Sequence, residues 1–162
     1  MSTLQVAGFL EHSNVNGEGF RSVLFLSGCY HACPGCHNQE MQAFDYGDTL
    51  DNSVILHKLI KNKPLIDGVT FSGGEPFEQC ESLIELAKSV KEEGLSIWCY
   101  TGYTYDALRK DPQKEPLLHY IDVLIDGPYI EALKDEHLLY RGSSNQRILE
   151  LKNGLIVKNR LS

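Results

Sequence analysis

Three cysteines, Cys29, Cys33 and Cys36, stand in the spacing C-x3-C-x2-C. They crowd into eight residues of a chain whose five cysteines make an odd number, a poor pattern for a disulfide framework. Thiolates are ligands for iron and zinc, and three of them from one loop can hold three irons of a cubane [4Fe-4S] cluster. The fourth iron then has no cysteine from this motif, and an open coordination position is where a substrate binds. Pro34 and Gly35 permit a tight wrap of the loop around such a ligand. The competing metal is a structural zinc held by the three cysteines and a histidine. His37 adjoins Cys36, however, and neighbouring side chains rarely reach one tetrahedral ion together. His31, inside the loop, reads as a solvated or supporting residue. Cys80, on an apolar helix face, and Cys99, inside an apolar strand, read as core packing.

A second group follows at the end of the next apolar run, Ser72-Gly73-Gly74-Glu75-Pro76. Two glycines let a backbone approach a ligand closely, and Pro76 suits the first turn of a following helix. Glu75 can accept a hydrogen bond from an ammonium group. The same strand-to-helix turn also occurs where nothing binds, so its meaning depends on the cysteines.

Together the two groups resemble the radical S-adenosylmethionine (SAM) superfamily, in which the Gly-Gly-Glu motif meets the SAM amino group. An aromatic residue usually precedes the third cysteine there; this chain has Gly35. A closer resemblance, running from about residue 14 to 148, is to the activating proteins of anaerobic (class III) ribonucleoside-triphosphate reductase, in which that glycine is ordinary. It rests on Val15-Asn16-Gly17-Glu18-Gly19, the Pro34-Gly35-Cys36 end of the cysteine loop, the WCYTGY stretch at 98–103, VLIDG at 123–127 and, most specifically, RGSSNQ at 141–146.

The resemblance implies a glycyl-radical activase. Its reduced cluster passes one electron to SAM, giving methionine and a 5′-deoxyadenosyl radical that takes a hydrogen from a glycine of the reductase. It implies Cys29, Cys33 and Cys36 as cluster ligands, and Gly73, Gly74 and Glu75 as contacts to the SAM amino acid. Thr101, Gly102 and Asp126 are expected at strand ends near ribose and adenine. Arg141, Ser143, Ser144 and Asn145 are expected to meet the partner, with Arg141 orienting either the incoming segment or SAM. An electron donor such as flavodoxin or ferredoxin is implied as well. Other radical SAM enzymes, such as an activase of the pyruvate formate-lyase type or a small-molecule enzyme, and a non-catalytic zinc or iron-sulfur module are the alternatives.

These residues need strand ends to hold them. Short apolar runs at 21–27, 65–72, 95–101 and 121–126 each close on glycine and read as buried strands. Helical patterns lie between them at 53–62 and 77–93, and a shorter one starts near Thr104 as N-cap. This alternation predicts an α/β fold with a parallel sheet. A complete eight-unit barrel takes about 250 residues, and 162 are present. The expected architecture is therefore a single-domain partial, open β/α barrel over 1–162, and the resemblance makes it the radical SAM type. The cluster loop is expected at 28–38 and a C-terminal hairpin at about 147–159, around Asn153-Gly154.

Apolar residues at 42% and charged residues at 23% exclude collagen-like and disordered classes. Fifteen Lys+Arg against 22 Asp+Glu leave a net charge of −7, which repels nucleic acid and anionic membrane surfaces. No apolar run approaches the roughly 20 residues of a membrane span, and the first ten residues lack the features of a signal peptide. A cytoplasmic protein is expected.

Overall fold

The structure is a computed structural model and describes residues 2–31, 33–36 and 39–161. Residues 32, 37 and 38 of the expected cluster loop, and with them the zinc candidate His37, lie outside the described residues. The strands are β1 (Thr3–Ser13), β2 (Arg21–Leu26), β3 (Asp48–Asp51), β4 (Gly68–Gly73), β5 (Ser96–Tyr100), β6 (Val123–Asp126), β7 (Arg147–Lys152) and β8 (Leu155–Asn159). They form one eight-stranded sheet in the order β3-β1-β2-β4-β5-β6-β7-β8. Its centre, β2-β4-β5-β6, is parallel, as the alternating pattern predicts. Both flanks are antiparallel: β1 and β3 on one side, β7 and β8 on the other. The fold is thus mixed α/β rather than purely parallel.

Side chains alternate between the two faces of a strand, and here the faces differ in cover. Leu24, Leu26, Val69, Phe71, Ile97, Cys99, Leu124 and Leu149 belong to the main core. Against them pack α1 (Asn52–Asn62), α2 (Cys80–Glu92), α3 (Tyr105–Lys110) and α4 (Glu115–Leu118), through residues such as Leu59, Leu83, Leu86, Val90 and Leu108. The opposite face carries a smaller cluster of Trp98, Val123, Ile125 and Ile148, with Tyr100 and Tyr140 against it. Loops rather than helices reach over that face: Asn16 accepts from Thr70 Oγ1 at 2.6 Å, and the Tyr140 ring meets Trp98 edge-on at 5.1 Å.

Two expected boundaries move for local reasons. The run at 65–72 gives up its start to a 3-10 turn at Lys63–Leu65, where Pro64 interrupts the chain, and β4 begins at Gly68. The helix expected over 77–93 begins as a 3-10 turn, Pro76–Gln79, and becomes α-helical at Cys80. Thr104 caps α3 as its side chain suggests, accepting from Ala107 N at 3.2 Å.

Candidate iron-sulfur and cofactor site

All four parallel strands end on the same side of the sheet, and each hands its chain to a glycine-containing turn. Ligands of α/β proteins bind in the crevice outside such carboxyl ends. Here a cavity of about 160 Å³ opens there, walled by Cys29, His31, Cys33 and Cys36 after β2, Ser72, Gly73 and Gly74 at the end of β4, Tyr100, Thr101 and Gly102 at the end of β5, Gly127 and Tyr129 after β6, and Gly142 and Gln146. The two motifs therefore face one space, although 36 and 73 are far apart in sequence.

The cysteine loop is shaped by its own backbone. Cys36 N donates to Cys33 O at 3.1 Å, and Gly35 has φ of 72°. Pro followed by a glycine at positive φ, closed by that bond, is the arrangement of a type II turn. The positive φ favours glycine here, while a Cβ would lie 2.6–2.8 Å from the Glu131 carboxyl group, the far end of an exposed side chain that can move aside. Burial raises the Cys33 thiol above its ordinary pKa, opposed by a hydrogen bond to the Tyr129 backbone. Among the described residues, no three His, Cys, Asp or Glu side chains converge closely enough to hold one metal ion. A cubane does not require that, because its protein-bound irons sit on separate corners of a larger body. Three half-buried thiols lining one cavity fit such a cluster in donor chemistry.

The Gly73-Gly74 turn is held against the root of that loop. Gly74 N donates to Leu26 O at 2.7 Å and Glu75 N to Gly28 O at 2.8 Å. A Cβ at Gly74 would come within 2.6 Å of the carbonyl oxygens of both Gly28 and Met41. Gly74 is therefore needed for backbone packing against the cysteine loop, whatever else it does.

Glu75 is fully buried and turned into the protein. It accepts from Phe77 N at 3.1 Å, which starts the 3-10 turn, from Thr101 Oγ1 at 2.9 and 3.0 Å, from Gly102 N at 2.7 Å and from His31 Nε2 at 2.7 Å. The last bond raises the His31 pKa, partial burial opposing it. His31 is the residue that sequence reasoning undervalued: it links the cysteine loop to the Gly-Gly-Glu turn and leans on the Tyr103 ring at 4.5 Å. Nothing in its local sequence marks that role, because its partner lies 44 residues away.

The remaining expected residues divide. Thr101 and Gly102 line the cavity. Asp126 does not: it is buried, holds Arg147 through bonds of 2.5 and 3.0 Å, and accepts from Tyr105 N at 2.7 Å, a structural role at the start of α3. Within RGSSNQ, Ser143 is fully buried, donating to Asn145 Oδ1 at 2.6 Å and accepting from Ile130 N. Asn145 donates to Pro128 O, and Arg141 to the carbonyls of Ser144 and Gln146. Only Ser144 of the four is exposed. Gln146, which had no role in the sequence reading beyond completing the motif, bridges Gly127 O and the amides of Gly142 and Ser143 at the cavity wall.

Residues 15–149 match a family model described as a 4Fe-4S single cluster domain, which places the chain among iron-sulfur proteins. An anaerobic ribonucleoside-triphosphate reductase-activating protein of Haemophilus influenzae is 42% identical over 145 residues, covering 85% of this chain and 92% of the relative. Proteins of the same name from Escherichia coli K12 and Enterobacteria phage T4 are each 34% identical, covering 85% and 87% of this chain and 93% and 90% of their own lengths. The chain belongs to the family of anaerobic ribonucleoside-triphosphate reductase-activating proteins. Among solved structures, QueE from Escherichia coli superposes with a TM-score of 0.49 at 16% identity, covering 63% of this chain and 53% of QueE.

Proposed function

We propose that the protein is a glycyl-radical activase that holds a [4Fe-4S] cluster through Cys29, Cys33 and Cys36, takes SAM at the Gly73-Gly74-Glu75 turn, and acts on the glycyl-radical subunit of anaerobic ribonucleoside-triphosphate reductase. The observation that carries this is the meeting of the C-x3-C-x2-C loop and the Gly-Gly turn around one cavity at the carboxyl ends of the parallel strands. The chemistry supplied there with cluster and SAM bound is one-electron cleavage of SAM to methionine and a 5′-deoxyadenosyl radical, which takes hydrogen from a glycine.

The chain's own residues serve that chemistry by position. Cys29, Cys33 and Cys36 would hold the cluster, and three thiolates would leave one of its irons without a ligand from the loop, in a cavity that Gly73 and Gly74 also line. Glycines at 73, 74, 102, 127 and 142 let a ligand meet backbone rather than side chains. Thr101 and Gly102 stand where ribose and adenine would lie, with the Tyr100 and Tyr129 rings as flat neighbours.

The partner's route follows from the uneven cover of the sheet. The cavity shares Ser72, Tyr100 and Gly142 with a larger groove of about 580 Å³ on the face without helices, where Val15, Tyr140 and Arg141 also lie. We read this face as the inside of an open, partial β/α barrel built from the whole chain as one domain, wide enough at its mouth for a segment of another protein. A flavodoxin or ferredoxin would supply the electron, in the cytoplasm. No helix among the described residues is long and apolar enough to cross a membrane.

The test is anaerobic incubation of the iron-loaded protein with SAM, a reductant and the reductase, with glycyl radical counted by electron paramagnetic resonance. A doublet from the reductase that needs both SAM and this protein is the expected result. Iron-loaded protein that cleaves SAM yet leaves the reductase without radical would refute the choice of partner. Protein that retains no iron would refute the whole proposal.

A further inference from the structure

A carboxylate accepts about four hydrogen bonds, and Glu75 has four donors already. Gly102 N and His31 Nε2 serve Oε1, each at 2.7 Å; Phe77 N and Thr101 Oγ1 serve Oε2. A further donor can reach this carboxylate only by displacing one of them. Two are backbone amides fixed at a strand end and a helix start. Thr101 is 4% exposed, and its Oγ1 is itself held by Tyr103 N at 3.1 Å. Thr101 and Gly102 line the cavity as His31 does, but His31 differs from all three in that its side chain is 17% exposed and can leave by rotating about its own torsions.

We infer that His31 and the ammonium group of SAM compete for one position on Glu75, so that His31 swings off Oε1 when the amino-acid end of the cofactor binds. The inference rests on the function proposed above. Both groups bring an N–H to an acceptor, and the His31 nitrogen already approaches Oε1 from the cavity side. The ring is fitted to this place: a Cβ on Gly102 would come within 2.6 Å of it. Because His31 lies between Cys29 and Cys33, its release from Glu75 also frees a tie between the cluster loop and the end of β5. His31 is on this view a residue that tunes cofactor affinity by occupying the cofactor's acceptor.

The test is anaerobic calorimetric titration of iron-loaded wild type, His31→Ala, His31→Leu and His31→Gln with SAM, and with 5′-methylthioadenosine, which keeps adenine and ribose but has no ammonium group. Removing a hydrogen bond to a charged group should tighten SAM about tenfold in His31→Ala and His31→Leu, which corresponds to about 1.4 kcal/mol. His31→Gln keeps a donor for Glu75 and should stay within about threefold of wild type. Affinity for 5′-methylthioadenosine should be the same in all four. Unchanged or weaker SAM binding in both the Ala and Leu variants overturns the inference, as does equal tightening of 5′-methylthioadenosine. Loss of the cluster in both variants overturns it too, because His31 would then support the cluster. Wild type that keeps its iron but binds no SAM defeats the proposed function itself, and the inference falls with it.

Discussion

Glu75→Gln changes one atom and should unsettle the centre of the site. Every group around the carboxylate is a donor: Gly102 N and His31 Nε2 at Oε1, Phe77 N and the Thr101 hydroxyl at Oε2. A glutamine must present its NH2 to one side or the other. With the nitrogen at Oε1 it faces Gly102 N and His31; at Oε2 it faces Phe77 N. Either choice strands one backbone N–H, Gly102 N or Phe77 N, because a neutral His31 or the Thr101 hydroxyl can turn to accept from the new NH2, and a buried donor without a partner costs about 1–3 kcal/mol. The bonds that survive also lose the strength that a charged acceptor gives them. Relief from burying a charge offsets part of this. A net loss of about 2 kcal/mol follows, and at about 2–4 °C per kcal/mol for a chain of this size the melting temperature should fall by roughly 4–8 °C. Thermal unfolding of the iron-free protein, followed by circular dichroism under reducing conditions, measures it without involving any cofactor. Glu81→Gln, at an exposed position of α2, is the control and should stay within about 0.5 kcal/mol of wild type. Equal melting temperatures for the two variants would show that these four bonds do not hold the turn.

Three further expectations concern the same end of the sheet. Cys29→Ala, Cys33→Ala and Cys36→Ala should each lose the catalytically competent cluster, while the buried Cys80→Ala and Cys99→Ala should keep it; iron and sulfide analysis with SAM-cleavage assays decides, and a competent cluster in any of the first three contradicts the ligand assignment. Gly74→Ala should lower stability and iron content together, because its Cβ meets the carbonyls of Gly28 and Met41, whereas Gly94→Ala, at φ 79° with open space around it, should cost only about 1–2 kcal/mol of backbone strain and no iron. Normal iron loading in Gly74→Ala would show that the turn does not brace the loop. Ser143→Ala should destabilise by about 1–2 kcal/mol by leaving Ile130 N without its acceptor, while the exposed Ser144→Ala should leave melting unchanged, so only Ser144 cleanly reports on partner contact; matching melting curves for the two would contradict the buried role of Ser143.

The sequence made the four central strands visible because each is buried on both faces and so reads as an unbroken apolar run ending in glycine. It concealed β1 and β3. Leu4 and Val6 of β1 are buried, but Gly8 and the polar residues towards its end break the alternation, and its pairing with β2 contains register shifts. The Asp-Thr-Leu-Asp of β3 has no strand signal of its own; it is extended because β1 offers it a partner. Strand preference at a sheet edge belongs to the neighbour as much as to the residues. The site divides similarly. Cysteine spacing and paired glycines are local requirements and could be read directly. The partners of Glu75 and Asp126 could not, because His31, Thr101 and Arg147 reach them across 44, 26 and 21 residues. Asp126 in particular has the position expected of a ligand contact, yet the guanidinium beside it takes both its oxygens.

The two ends of the parallel strands are lined by different chemistry. At their amino ends, Arg21 lies buried across the sheet: Nε donates to Thr70 Oγ1, Nη2 to the carbonyls of Val69 and Ser96, and Nη1 to Glu18 O. Its guanidinium stands 5.6 Å from the Trp98 ring, and burial pushes its pKa down to about 10. One long side chain thus ties together β2, β4 and β5 at that end, in a groove of about 510 Å³ that Asp67, Trp98 and Asp122 also line, and Gly68 is kept small, since a Cβ there would fall 2.3 Å from Nη2 and 2.5 Å from Ser96 O. At the carboxyl ends the buried side chain that gathers polar groups is Glu75, which accepts from Phe77, Thr101, Gly102 and His31. The turns there are glycine-rich, and three of the donors to Glu75, namely His31, Thr101 and Gly102, stand on the cavity wall. The sheet is therefore polarised along its strands, with a buried arginine among acidic neighbours at one end and glycine-rich turns beside the three cysteines at the other.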